Sequence, residues 1–237
     1  MNNETSNDTS AFEAEVRDTV EQGDNVQEKV RQLTLRVISA RSLDIESVRQ
    51  TADAVLRGAR AGVQKELQHS SAQTHIARDH LNQAVTGLDI ALAQFAEAAK
   101  LTVEEAAGRA KKYSSEDLKR ARADLASLET MFVETLQSSA SAAKNAAGEI
   151  LHDLAAHTRT HGSAVGMQLK DTLSVFARHI GAAGRTQVGV GLHLAKNTAD
   201  LARQIAAGVL TGLADHVRPD HVRPEHVQPG QPKDKDE

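Results

Sequence analysis

Two histidines, His157 and His161, stand four residues apart, a spacing that puts both imidazoles on one helix face within reach of a single metal ion. No HExxH carboxylate accompanies them and the chain has no cysteine, so they are predicted to be polar-face histidines and no metal site is expected. His216, His221 and His226 recur at five-residue intervals near the C-terminus, a tract that scavenges metal weakly and without defined geometry. The acidic pairs Glu104-Glu105 and Glu116-Asp117 do not converge on a substrate, because adjacent residues on a helix point in different directions. Neither a nucleophile elbow, nor a phosphate-binding loop, nor a dinucleotide-binding glycine pattern occurs. These residues predict a non-enzymatic protein with no catalytic residue and no cofactor.

Charge narrows the partners. The densest basic cluster, Lys111-Lys112 with Lys119, Arg120 and Arg122, is interleaved with Glu116, Asp117 and Asp124. It also lacks an aromatic platform on which bases could stack, so nucleic acid is not an expected partner. The net charge of −4 conceals an acidic stretch over residues 1–24 and a mildly basic one over 157–213, which predicts intramolecular or head-to-tail charge complementarity. Met1-Asn2-Asn3-Glu4 carries neither a basic nor an apolar leader region. The most apolar run, Ile205 to Ala214, is too short to span a bilayer, and a cytoplasmic location is expected.

The elements that must carry these residues are helices. All four prolines, Pro219, Pro224, Pro229 and Pro232, fall in the last nineteen residues, so nothing before them obligatorily breaks a helix. Ala, Leu, Glu, Gln, Arg and Lys dominate, and aromatic residues make up only 2%, which predicts long helices around a thin core. Residues 1–10 are polar and expected to be disordered, 11–215 to form an elongated α-helical domain, and 216–237 to be a disordered tail built on His-Val-Arg-Pro repeats.

Within the helical region, Phe12, Val16 and Val20 share a face before Gly23-Asp24 supplies a stop and a fresh cap. Val26, Val30, Leu33 and Val37 mark a second short helix. A stripe from Val48 through Ala59, Leu67, Leu81, Leu88, Leu92 and Phe95 to Ala99 keeps a step close to the helical 3.6 residues. Polar Ser70 and Thr74 interrupt it and mark a bend or break near His69-Ser70-Ser71. Ser114, with Asp117 three residues later, reads as a cap opening the next helix. The stripe Leu118, Leu125, Leu128, Phe132, Leu136 and Ile150 follows, and Leu169 and Phe176 continue it beyond Gly162. If Gly162 is tolerated within a helix, 45–112 and 115–182 each span 68 residues, about 100 Å at 1.5 Å per residue. Equal lengths joined by a tight corner predict an antiparallel hairpin. Gly181-Ala-Ala-Gly184 is then expected to turn the chain into a last helix over about 185–215. The fold class predicted is all-α, an elongated antiparallel helical bundle with shorter flanking helices.

Three glycine pairs have the spacing that lets a neighbouring backbone approach one helix face: Gly58 with Gly62, Gly162 with Gly166, and Gly208 with Gly212. The apolar stripe, represented by Leu88, Leu92, Phe95, Leu125, Leu128, Phe132 and Phe176, seals against another helix or lies on an apolar surface. The segments Val30-Arg-Gln-Leu-Thr-Leu35, Ala54-Val-Leu-Arg-Gly-Ala59, Glu105-Ala-Ala-Gly-Arg-Ala110 and Asp117-Leu-Lys-Arg-Ala121 resemble an uncharacterised family of Ala-rich helical bacterial proteins. Phe95-Ala-Glu-Ala-Ala-Lys100 and the general composition are similar to phasins, which coat polyhydroxyalkanoate granules. That likeness implies a granule or membrane surface as partner and granule association. The competing expectation is a self-associating coiled-coil scaffold, a homo-oligomer with protein partners only.

Overall fold

A computed structural model describes residues 2–40, 45–69, 71–108, 114–143 and 146–186. Among them there is no strand. The helices are α1 (Asn2–Gln22), α2 (Val26–Ala40), α3 (Ile45–His69), α4 (Ser71–Gly108), α5 (Ser115–Ala142), α6 (Ala146–His161) and α7 (Ala164–Thr186). Their polar faces are wet and their apolar faces meet in one continuous core, as amphipathic helices of this period require.

The helices form three stacked hairpins. At the centre, α3 and α4 run antiparallel, with Glu66 and His80 facing each other. On one side lies the α1–α2 hairpin, with α1 parallel to α3 (Glu13 beside Arg57, Val20 against Gly62) and α2 parallel to α4 (Gln27 against Gly87, Arg31 bonded to Gln94). On the other side α5 runs parallel to α3, through Arg49–Glu134 and Arg60–Ser139. In line with each other, α6 and α7 run parallel to α4, through Arg78–Asp153, Lys100–Asp171 and Glu104–Arg178. Among the described residues the α1–α2 layer packs mainly on α3 and α4, and the α5–α7 layer likewise. This is the helix-pair stacking used by solenoid proteins, on a small scale.

Local chemistry sets the corners. Gly23 adopts φ +70 and Asn25 φ 54 between α1 and α2, left-handed conformations that glycine and asparagine tolerate best. Ser114 caps α5 as the sequence predicts: the Asp117 amide donates to its Oγ at 3.1 Å, and that hydroxyl donates to the Asp117 carboxylate at 2.6 Å. Ala143, in extended conformation, ends α5 with its amide donating to Ala140 O. Gly162, at φ +85, ends α6.

Several expectations are revised. The 45–112 segment is not one long helix but the two helices α3 and α4, as the polar interruption near His69-Ser70-Ser71 foretells, and α4 runs back along α3. The 115–182 segment divides twice, and α6 returns antiparallel to α5. The longest described helix, α4, has 38 residues, or about 57 Å. Residues 2–10, expected to be disordered, extend α1. Phe12, Val16 and Val20 are buried, and once they dock, helix propagates outward residue by residue with no breaker in the way. The turn expected at Gly181–Gly184 is crossed by α7, which continues to Thr186; a glycine inside a helix costs only about 1 kcal/mol. The expected helix over 185–215 lies almost wholly outside the described residues, as does the tail over 216–237. Gly208 and Gly212, expected to pack closely against a neighbouring helix, also lie outside the described residues.

Candidate functional site

Every representative of the apolar stripe is buried. Leu88 and Leu92 on α4 and Phe176 on α7 are 0% exposed, Leu128 and Phe132 on α5 are 1%, and Leu125 and Phe95 reach only 4% and 7%. The exposed large apolar side chains among the described residues are Ile76, Leu101 and Met167. They do not form a patch: the first two are 25 positions apart on α4 and the third is on α7. None of the described helices is long and apolar enough to cross a membrane.

The predicted glycines divide by role. A Cβ on Gly58 would lie 2.5 Å from Glu13 O, and one on Gly62 2.7 Å from Val20 Cβ, so this pair lets α1 lie directly against α3. Gly87 does the same for α2 and α4, its Cβ position 2.4 Å from Gln27 O. It escapes a search for glycine pairs because its partner one turn on is Ala91. Gly162 and Gly166 do not act as a pair on one helix face, because the corner between α6 and α7 separates them. Gly162 has no neighbour within 4 Å of a Cβ; its work is the positive φ of that corner. Gly166 receives a side chain, with Glu129 Oε1 2.0 Å from the Cβ position. Nothing in the described residues bears on the third pair, Gly208 and Gly212.

The Glu129 carboxylate belongs to a partly buried polar arrangement shared by three helices. Where α7 begins, the amides of Ala164 and Val165 donate to Asp89 of α4 at 2.7 and 2.9 Å. The Gly166 amide donates to Ser163 Oγ at 2.9 Å, and that hydroxyl donates to Glu129 of α5 at 3.2 Å. Three helices are thereby tied at one point, with anions at the positive end of a helix dipole. Burial nevertheless dominates at Asp89 and raises its pKa above the usual carboxylate range; the two amide bonds act against that shift and the Glu129 charge adds to it. No sequence signal short of the position of α7 exposes this role, since Asp89 reads as one polar residue beside Leu88.

Elsewhere among the described residues, polar side chains pair but do not gather as a site. A groove of about 320 Å³ where α1, α3 and the α5–α6 corner meet contains Arg57 and Arg60. Arg57 Nε donates to Glu13 at 2.8 Å and Arg60 Nη1 to Ser139 O at 2.8 Å. Glu104 and Glu116 face solvent or ion-pair with Arg178 and Lys119 respectively. The His157 and His161 rings stack with centroids 4.2 Å apart. Among the described residues no three His, Asp or Glu side chains gather as metal ligands would.

No curated protein and no solved structure matches the chain. The expected membership of an uncharacterised, Ala-rich helical family is met, for residues 2–219 match the family of unknown function DUF6781, and the chain belongs to that family.

Proposed function

We propose that the protein is a non-enzymatic scaffold that acts as a closed stack of helical hairpins, associating with copies of itself and with protein partners through its polar exterior. One observation supports this above the others: the stripe that could adsorb to an apolar surface is already consumed inside the chain, from Leu88 and Leu92 to Phe132 and Phe176. Each such side chain gains about 1.5–3 kcal/mol by staying out of water, so spreading on a granule or lipid surface must first undo that packing.

The phasin-like reading, a coat on a storage granule or membrane, is favoured by a different feature. Besides its buried apolar side chains, the α5–α7 layer meets the central hairpin through ion pairs with exposed partners such as Arg49–Glu134 and Arg78–Asp153. Exposed pairs contribute about 0–1 kcal/mol each. An apolar surface that takes over the buried side chains of this layer then has only such weak pairs left to break.

Mixing the full-length protein with polyhydroxyalkanoate particles and with vesicles, beside sedimentation of the protein alone at micromolar concentration, decides between them. The scaffold reading expects a concentration-dependent oligomer and no partition to either surface. Saturable partition of a monomer would replace it with the coat.

A further inference from the structure

We propose that His157 and His161 form a two-imidazole site on the outer face of α6 for a borderline divalent transition-metal ion of the zinc, nickel and copper class. The sequence supplies only their spacing; the structure adds three facts. Both side chains are exposed, so an ion reaches them without disturbing the core. The rings already lie together, centroids 4.2 Å apart and planes inclined by 23°. Two imidazole nitrogens bound to one tetrahedral ion at 2.0–2.1 Å lie about 3.3 Å apart, so the rings turn out of this stack by side-chain rotation until their in-plane lone pairs converge on the ion.

The third fact concerns the tautomer. His161 Nδ1 lies 3.2 Å from the carbonyl oxygen of His157. An Nδ1–H donated there leaves Nε2 with its lone pair directed outward, the arrangement by which protein carbonyls orient metal-binding histidines. Two charged groups of α6 lie close to the pair in sequence. Asp153, one turn before His157, is held by Arg78 of α4 at 3.3 Å. Arg159 projects from a different side of α6, two positions from either histidine.

With no third protein ligand gathered among the described residues, water fills the remaining positions and the affinity is modest. Imidazole and the class of cation are matched in softness. Binding clamps the last turn of α6 against unwinding at the Gly162 corner, so it also raises thermal stability.

The test uses the full-length chain with His216, His221 and His226 replaced by alanine, which removes the competing tail ligands. Zinc chloride titrated into this protein by calorimetry should bind at one ion per chain and raise the unfolding temperature. His157→Ala or His161→Ala should each weaken binding by at least about tenfold and abolish the thermal shift. Absence of saturable zinc binding by the parent, or undiminished binding by the variant lacking both residues, would overturn the site.

Discussion

The two faces of the central α3–α4 hairpin are joined to their neighbours by different means, although each also carries polar bridges such as Glu13–Arg57 on one and Lys100–Asp171 on the other. Toward α1–α2 the contact is made by absence of side chain: Gly58, Gly62 and Gly87 let backbone lie on backbone, and the residues filling the seam are mostly valines such as Val16, Val20, Val26 and Val30. Toward α5–α7 the contact is made by bulk and charge. Met131, Phe132, Leu136, Ile150, Leu151 and Phe176 fill it, and Asp89, Lys100, Arg49 and Arg78 bridge it. The first seam should therefore fail when volume is added and the second when volume or charge is removed. Close packing of small residues leaves no room for an extra methyl, whereas large side chains leave a cavity when truncated.

The largest effect is expected at the second seam. Phe176→Ala should cost about 3–5 kcal/mol in urea unfolding, the range for deleting a fully buried phenyl ring. Lys100→Ala, which breaks the 2.6 Å pair with Asp171, should cost under about 1 kcal/mol. Equal losses would mean that charge rather than bulk holds this layer.

A smaller effect probes the first seam. Gly87→Ala places a methyl against Gln27 O and should destabilise by about 1–3 kcal/mol through overpacking. Gly166→Ala meets only the far end of the Glu129 side chain. It should stay within about 1 kcal/mol of wild type, since alanine is the better helix former. A stabilised Gly87→Ala protein would show that α2 does not need this close approach.

The smallest effect concerns pH. Because burial raises the Asp89 pKa in the folded state, its contribution to stability is full below the unfolded value of about 3.9 and is lost as pH rises through the raised folded value. Asp89→Asn should consequently gain on wild type between acidic and neutral pH in paired urea melts. If wild type gains instead, the two amide bonds outweigh the cost of burial.

How much of this the residues reveal in advance depends on what made each feature. The Ser114–Asp117 cap, the close approach at Gly58 and Gly62 and the buried stripe are local or periodic, and side-chain type and spacing suffice to find them. The same spacing misleads at Gly162 and Gly166, where a positive φ at the first glycine puts the two on different helices. The reversal at Ser70 announces itself because Ser70 and Thr74 put polar groups on an apolar stripe. The reversal after Ala143 does not. Ala140, Ala143, Ala146 and Ala147 carry the small apolar face straight through the corner, and only the docking of α6 back along α5 selects the break. Gly87 and Asp89 are hidden for a related reason: each acquires its role from a helix distant in the chain, α2 in one case and α7 in the other.

The central claim is that the two seams are separate structural units sharing one hairpin. Hydrogen exchange read by mass spectrometry, comparing wild type with Gly87→Ala under native conditions, tests it most directly, because local opening reports the stability of each layer on its own. Faster exchange confined to residues 12–40, with α5 and α7 unchanged, is the predicted result. Acceleration spread equally over α5 and α7 would contradict it and make the three hairpins one cooperative body.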